Sequence, residues 1–331
     1  MTLKNDRGVT VDLAAYGAAI QSIHLPLGSN RGPRGYNAAL GHSRPEDYAD
    51  NSYFCGATIG RYAGRIANAT SRLNGQSIQL SPDPHTGHCL HGGPDGFSNK
   101  LWRLDPFSSA ATASFSLRSN HGDQGFPGTL DVSVGYEIHD LAIVVELIAM
   151  GTDDTLVSLT NHAYFNLGGS DSIEDHRVRL NASNYLPANG EGIATGEIRP
   201  VIGTPYNFRN ERSMASVLHS EQGLDHTFVR DRNATQRFAV KGLEIPLAAT
   251  VFSPATGLTL NVYSTQPTFQ FYGGGHLGSP FQPHQGFCIE PQAYPDSANH
   301  NAFPTALLPA GKPYRQFIVY EFELSTQGGL H

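Results

Sequence analysis

A run of uncharged polar residues is the first feature of this sequence that could do chemistry. The segment Val157–Leu167 alternates with a period of two, a pattern that predicts a strand with two different faces. A solvated face usually carries Lys and Glu, so an uncharged polar face indicates the lining of a cleft. The alternative is that the face is simply exposed. The predicted polar face consists of Ser158, Thr160, His162, Tyr164 and Asn166.

A carboxylate and a second uncharged polar face occur later in the chain. Glu290 closes the apolar segment Phe287–Glu290, and Pro291 after it interrupts the strand ladder because proline donates no backbone hydrogen bond. Uncharged polar groups with aromatic neighbours suit a sugar, which presents hydroxyls at its rim and C–H groups on its faces. The sequence therefore predicts a sugar-binding cleft. The other predicted cleft-lining side chains, backed by Phe269 and Phe271, are Thr268, Gln270 and Tyr272.

Short strands and turns must position these groups. The chain has 331 residues with 36 Gly and 21 Pro, and only 15% of its residues are charged. Alternation over Leu130–Ile138 predicts a half-buried strand, and the apolar run Leu141–Leu147 predicts one that is covered on both faces. A helical pattern occurs only around Glu211–His219 and is short. We therefore predict an all-β protein, a large antiparallel β-sandwich, as a single domain over residues 1–331.

Composition also bears on partners and compartment. A net charge of −7 argues against a nucleic-acid partner, which would favour a basic surface. Three cysteines, Cys55, Cys89 and Cys288, make no disulfide framework, so a reducing compartment is expected. The N-terminus lacks a signal-peptide pattern, and no apolar run is long enough to span a membrane. These observations predict a cytoplasmic protein with no membrane partner.

Six motifs, in order along the chain, resemble those of the galactose mutarotase (aldose 1-epimerase) family. Any one of them would be weak alone, whereas six in the family's order form a specific match. The match extends with lower similarity over nearly the whole chain. The motifs are Phe54–Ile66, Leu90–Phe97 with Trp102 following, Thr160–Leu167, Gly223–Phe228, Gln266–Tyr272 and Cys288–Asp296.

The resemblance implies a galactose mutarotase-like supersandwich that interconverts the α and β anomers of a free monosaccharide. It implies no metal and no organic cofactor. By motif position, Glu290 would be the general base and His162 the general acid. The residues that would bind sugar hydroxyls or support the reacting groups are His91, Arg65, Asp225 and Gln270.

Anomer exchange gives a reason for this acid and base. Opening the hemiacetal removes a proton from O1 and adds one to the ring oxygen, and a base and an acid acting together avoid a charged intermediate. With ordinary pKa values of about 4.3 and 6.5, Glu290 would be ionised and His162 partly protonated near neutrality. Arg65 would help to keep Glu290 ionised. One departure concerns substrate preference: the family's arginine motif commonly has Asn before the second Arg, and Gly64 stands there.

Alternatives remain at this point. A glycoside hydrolase could pair Asp225 with Glu290, a hexose-6-phosphate epimerase would need further basic residues, and a non-catalytic sugar-binding protein would need neither acid nor base. His226 is left outside the catalytic set, and Arg61 is interpreted as a structural ion-pair partner. Four residues close in sequence could suggest a zinc site, but their spacing matches no standard site well, and we predict that they bind no metal. They are His85, His88, Cys89 and His91.

Overall fold

Strands dominate the structure, a computed structural model that describes residues 1–27, 35–220 and 223–324. The first fifteen strands are β1 (Thr2–Lys4), β2 (Thr10–Ala14), β3 (Ala19–Leu25), β4 (Tyr36–Asn37), β5 (Ala39–Leu40), β6 (Thr58–Ile59), β7 (Arg65–Ile66), β8 (Thr70–Leu73), β9 (Gln76–Gln79), β10 (Cys89–Leu90), β11 (Arg103–Leu104), β12 (Thr112–Ser119), β13 (Leu130–His139), β14 (Ala142–Gly151) and β15 (Thr155–Leu156). The others are β16 (Thr160–Asn161), β17 (Tyr164–Phe165), β18 (Arg177–Leu180), β19 (Asn184–Leu186), β20 (Arg199–Pro200), β21 (Arg212–Ser213), β22 (Asp225–Val229), β23 (Arg237–Val240), β24 (Leu243–Phe252), β25 (Leu258–Ser264), β26 (Thr268–Tyr272), β27 (Phe287–Gln292), β28 (Leu307–Leu308) and β29 (Pro313–Leu324).

Helical structure is confined to short turns in the described residues. The one α-helix, α1, spans Ala215–Leu218, which confirms a short helix within the predicted segment Glu211–His219. The 3₁₀ turns are Pro45–Asp50, Ala67–Ala69, Phe97–Asn99, Asp123–Gly125 and Ser297–Asn299. No described helix combines the length and the apolar character needed to cross a bilayer.

The larger sheet has ten strands in the order β11-β12-β13-β14-β29-β25-β24-β18-β21, with β23 added beside β24. Its ladders are antiparallel, and β13 buries alternate residues as predicted for Leu130–Ile138. The first half of strand β14 is covered on both faces, as the run Leu141–Leu147 predicted: Ile143 and Val145 enter the main core, whereas Val144 packs in a second cluster with β23 and β24. The predicted patterns are confirmed for both strands.

The second sheet has seven strands in the order β20-β19-β22-β26-β27-β17-β5. One of its faces packs on the larger sheet through aromatic contacts. The ring of Phe165 on β17 lies 4.9 Å from Tyr320 and 6.2 Å from Phe322 on β29, and Phe271 and Phe287 join the same core. This face-to-face packing of antiparallel sheets confirms the predicted β-sandwich. A single domain over residues 1–331 stays a prediction.

The segment Val157–Leu167 is not the single strand that its alternation predicted. Its backbone changes partner every few residues: Val157 and Ser158 donate to separate loops, β16 pairs with β6, and β17 pairs with β27 and β5. Asn166 is the one residue from Val157 to Leu167 that is not fully buried. The prediction of one continuous strand with an accessible polar face is therefore wrong for this segment, which is buried on both sides.

Candidate active site

The cleft of about 220 Å³ lies on the face of the second sheet that points away from the core. That volume suits one small molecule rather than a larger ligand. Its lining brings together all six residues that the sequence predicted, although they come from distant parts of the chain. They are Arg65, His91, His162, Asp225, Gln270 and Glu290.

Glu290 reaches the cleft because β27 alternates. Phe287 and Ile289 point into the core, so Glu290 points to the opposite face, where it pairs in register with Gln270 of β26. Its side chain is only 2% exposed, and Oε2 has no hydrogen-bond partner among the described residues. Burial, and then the negative charge of Asp225, raise the pKa of Glu290 well above its usual range, whereas Arg65 acts to lower it.

His162 lies against that carboxyl group. Its backbone bridges the loop before β6, donating to Ala57 and accepting from Gly56, so its place is fixed at the junction between β16 and β17. The imidazole Nε2 is 3.5 Å from Oε2 of Glu290, and Nδ1 is 3.4 Å from Sγ of Cys288. Burial lowers the pKa of His162 to about 4. The two side chains are thus close enough to act on one small molecule.

These pKa shifts act against the protonation expected from ordinary values. Burial favours the uncharged form of each group: it lowers the pKa of His162 to about 4, so this imidazole is neutral near neutrality, and it raises the pKa of Glu290. The partial protonation expected for His162 is therefore not met in the free cleft, whereas an ionised Glu290 stays a prediction.

Asp225 and Gln270 form one hydrogen-bonded unit across β22 and β26. Gln270 Nε2 donates to Oδ1 of Asp225 at 2.5 Å, and Gln270 Oε1 accepts from the Thr227 hydroxyl. Gln270 therefore orients Asp225, and its amide keeps one further N–H donor and one further acceptor position. Its contact with a sugar stays a prediction. The second carboxylate oxygen of Asp225 can accept from a sugar hydroxyl.

His91 is held through its backbone and its ring. It follows β10 in a left-handed conformation, with φ of 51°. The backbone N–H of Gly64 donates to His91 Nδ1 at 3.2 Å, which leaves the ring proton on Nε2. Gly92 next to it must be glycine, since a Cβ there would lie 2.0 Å from the carbonyl oxygen of Gly60. Burial, with His162 and Arg65 nearby, lowers the pKa of His91, so it is a neutral hydrogen-bond donor.

The two arginines of one motif have separate positions. Arg65 on β7 lines the cleft, and its guanidinium packs on Gly192, where a Cβ would lie 3.0 Å from a terminal nitrogen. Arg61 is 2% exposed and lies outside the cleft lining. Its guanidinium donates to the carbonyl oxygens of residues 119, 120, 127 and 128 and to two hydroxyls. Arg61 is structural, as predicted, but its partners are neutral oxygens rather than an ion pair.

The sequence cluster of histidines and a cysteine does not converge. Cys89 is packed in an apolar cluster, His88 Nδ1 accepts from the backbone of Asn68, and His85 is exposed. In the described residues, the metal-compatible donor group is instead His91, His162 and Glu290, whose ligand atoms lie within 4.8 Å of one another. The absence of a metal cofactor stays a prediction.

Several cleft residues were missed by sequence reasoning. Gln292 follows Glu290 by two residues on β27, and period two was a usable signal that both share a face. Phe54 gave no such signal, because an aromatic residue is ordinarily assigned to the core. Its ring lies 4.9 Å from His91 and 5.7 Å from His162, which shields one side of both imidazoles. Of the predicted polar face around His162, Tyr164 is the other residue that lines the cleft.

The arrangement is suited to moving protons on a small polyhydroxylated molecule. A carboxyl group and an imidazole lie 3.5 Å apart, and a second carboxyl group, a guanidinium and a ring N–H surround them. Within the described chain, Arg65 is the sole Arg or Lys in the lining, so a strongly anionic ligand is not favoured. These groups can transfer protons to and from neighbouring oxygens without a charged intermediate.

Comparison with known proteins places the chain in context. The family model described as Aldose 1-epimerase matches residues 1–321. The chain is 36% identical over 341 residues to the aldose 1-epimerase of Escherichia coli (strain K12), covering 97% of this chain and 94% of that protein. It is 34% identical over 327 residues to the galactose mutarotase of Homo sapiens, covering 95% and 91%.

Solved structures agree in architecture. The crystal structure of an aldose epimerase homologue from C. elegans superposes with a TM-score of 0.88 at 26% identity, covering 98% of both chains. A galactose 1-epimerase from Lactobacillus acidophilus NCFM superposes with a TM-score of 0.83 at 27% identity, covering 97% of this chain and 93% of the other. The likeness therefore extends over the whole sandwich.

Proposed function

This chain belongs to the aldose 1-epimerase family, and from that premise we propose that Glu290 and His162 catalyse its reaction. The enzyme is an isomerase that interconverts the α and β anomers of an aldose. The observation that carries the assignment of these two residues is the distance of 3.5 Å between His162 Nε2 and Glu290 Oε2 in a cleft sized for one small molecule.

Ring opening requires two proton transfers. Glu290 takes the proton from O1, the electrons of that O–H bond form the C1 carbonyl, and the bond between C1 and the ring oxygen breaks. His162 gives its proton to the ring oxygen as that bond breaks. Rotation about C1–C2 then presents the other carbonyl face, and the reverse transfers close the ring as the opposite anomer. Each positioned transfer contributes roughly 10²–10⁴-fold to the rate.

The pKa shifts of the pair act on both ends of this sequence. Opening begins with an ionised Glu290 and a protonated His162 and ends with both neutral. Burial favours the neutral arrangement, so it stabilises the pair at the open-chain stage and adds an equal cost to forming the ionised arrangement before opening. Before opening, sugar hydroxyls that donate to the unpartnered Oε2 of Glu290 and the charge of Arg65 stabilise the carboxylate.

The remaining groups hold the sugar. Asp225 accepts from a hydroxyl through the oxygen that Gln270 leaves free, and His91 donates through Nε2. Arg65 donates several hydrogen bonds from the lining of the cleft. Phe54 offers a ring face to sugar C–H groups. The ligand is thus a neutral monosaccharide, recognised by hydroxyl pairing.

Two alternatives are less well supported. A hexose-6-phosphate would add two negative charges to a cleft whose lining, in the part of the chain described, has the single strong cation Arg65. A glycoside hydrolase using Asp225 and Glu290 would leave the close approach of His162 to Glu290 without a use. We propose a cytoplasmic location because all three cysteines are buried and unpaired, and we retain the prediction of no nucleic-acid partner.

Polarimetry of freshly dissolved sugar, corrected for the spontaneous rate, tests the assignment. Glu290→Gln keeps the shape of the side chain but removes the base, so we expect turnover to fall by about 10²–10⁴-fold with the fold intact by circular dichroism. His162→Asn is expected to lower kcat by a similar factor. Near-normal kcat in Glu290→Gln would refute the base. A raised KM with unchanged kcat in His162→Asn would make His162 a binding residue only.

A further inference from the structure

Gln292 is a buried amide that faces the cleft without a protein partner. It is 2% exposed, lines the cleft, and lies two residues beyond Glu290 on β27. Its backbone carbonyl accepts from the Thr268 hydroxyl, but its side-chain amide makes no hydrogen bond with the described residues. The amide is therefore available from the cleft to a ligand that has both donor and acceptor groups.

Gly64 is what leaves this amide open. A Cβ built on Gly64 would lie 3.6 Å from Nε2 and 3.7 Å from Oε1 of Gln292, and 3.2 Å from Cβ of Pro295. Any longer side chain at position 64 would therefore extend over the amide and take up cleft space. The φ of +82° at Gly64 also disfavours most side chains. Its backbone is meanwhile fixed by the two hydrogen bonds with His91.

We propose that Gln292 binds hydroxyls of the aldose, that Gly64 gives the sugar access to it, and that these two residues set the aldose preference of this enzyme. The inference rests on the proposed catalytic site around Glu290. An amide presents one donor group and one acceptor side by side, which matches a pair of adjacent sugar hydroxyls. Neither residue transfers a proton, so Gln292 acts on substrate selection rather than on the chemical step.

The position of Gln292 restricts which hydroxyls it meets. Two residues along a strand span roughly 6–7 Å, so Gln292 is displaced from Glu290 by about the width of a sugar ring. Glu290 is assigned to O1 at the reacting carbon. Gln292 therefore contacts hydroxyls remote from C1, which are the ones that distinguish one aldose from another.

Gln292→Met tests the contact, because methionine keeps the length of the side chain and removes its hydrogen-bonding groups. The readout is kcat/KM for mutarotation of a parent hexose and of its deoxy derivatives, each lacking one hydroxyl. We expect a loss of roughly 10–100-fold for the parent and no further loss for the derivative that lacks the contacted hydroxyl. An equal loss for every sugar, or no loss for any, would overturn the proposal.

Two further variants separate recognition from structure. Gln266→Met is the matched control, since Gln266 is also buried but bonds to Leu159 and Tyr314 outside the cleft, and we expect the same preference among sugars as in the wild type. Gly64→Asn tests access, because Asn tolerates a left-handed backbone. In that background the Gln292→Met penalty is expected to shrink; a penalty of unchanged size would overturn the role of Gly64.

Failure of the proposed catalytic base can be distinguished from failure of the proposed specificity contact. Glu290→Gln is expected to lose turnover with every sugar alike, whereas Gln292→Met changes the ranking of sugars. If Glu290→Gln stays active while Gln292→Met re-ranks the sugars, the proposed base fails and the specificity contact stands. If Glu290→Gln is inactive and Gln292→Met ranks the sugars as the wild type does, the specificity contact fails alone.

Discussion

Gln270 holds Asp225 in place by donating a hydrogen bond of 2.5 Å to its carboxylate, while Gln270 is itself paired in strand register with Glu290. Through Gln270, the strand register thus connects Asp225, a proposed sugar-binding residue, to Glu290, the proposed base. The charge of Asp225 raises the pKa of Glu290, second only to burial. Asp225 therefore affects the pKa of the proposed base, besides any contact with sugar.

Asp225→Asn should move the alkaline limb of the kcat profile to lower pH. The proposed reaction needs one proton on the pair of Glu290 and His162, and the alkaline limb of the profile marks loss of that proton from the pair. Removing the negative charge of Asp225 favours the ionised carboxyl group and lowers the pKa of Glu290. The pair therefore loses its proton at a lower pH. The measurement is kcat between about pH 5 and pH 9, with the spontaneous rate subtracted. An unmoved or upward-shifted limb would contradict the coupling.

The two arginines of the first motif should fail in different ways. Arg61→Met removes a guanidinium that satisfies four buried carbonyl groups, so we expect a loss of at least about 3 kcal/mol in the free energy of unfolding. Arg65→Met should change that free energy by less than about 1 kcal/mol but lower kcat/KM roughly 10–100-fold. Urea unfolding and polarimetry on both variants check the contrast; a stable Arg61→Met protein would show that those carbonyls find other partners.

His162 should make the protein lose stability in acid. Its pKa falls from the ordinary 6.5 to about 4 on folding, so between these values the unfolded chain binds more protons than the native one. Stability then rises with pH across this window, by roughly 3 kcal/mol for this one residue. Raising the pH through 6.5 completes the gain, and lowering it toward 4 removes it.

His162→Asn removes that contribution together with the part of the His91 shift that His162 causes. Urea unfolding of both proteins at pH 7 and near pH 4 should show a smaller acid loss in the variant. His91 strengthens the effect in the same direction, since its pKa is held down partly by His162. Equal acid losses in the two proteins would mean that His162 titrates normally in the native state.

Some of the site could be predicted from local pattern and some could not. The sequence predicted that Pro291 interrupts the ladder after Glu290, but β27 continues in register through Pro291 to Gln292. Period two along β27 places Glu290 and Gln292 on the face opposite Ile289. The rule failed for His162, whose chain segment serves several sheets in turn, so its polar neighbours Ser158 and Asn166 form internal hydrogen bonds instead of lining the cleft. Alternation of residue types predicts side-chain direction only along one continuous strand. The segment Val157–Leu167 stays in the same strand pairing for no more than two residues.

Protonation was the part least available to the sequence. Residue type gives ordinary pKa values, but the shifts of Glu290 and His162 come from burial in a cleft that distant segments assemble. The same holds for the contact of Arg65 with Gly192, which joins positions more than a hundred residues apart. Such long-range placement followed from the family resemblance, not from local spacing.

Chelation should leave the enzyme active, whereas added zinc should inhibit it. Two neutral imidazoles and a carboxylate are donors that Zn²⁺ accepts, and the ligand atoms of His91, His162 and Glu290 lie within 4.8 Å of one another. Two of these residues are the proposed proton-transfer groups, so a bound ion and turnover exclude each other. We expect EDTA-treated enzyme to retain full activity and Zn²⁺ to inhibit competitively with sugar. His85→Asn, at an exposed histidine outside this group, should keep that sensitivity. Loss of activity on chelation with recovery on zinc addition would instead make the reaction metal-dependent and remove the acid–base assignment.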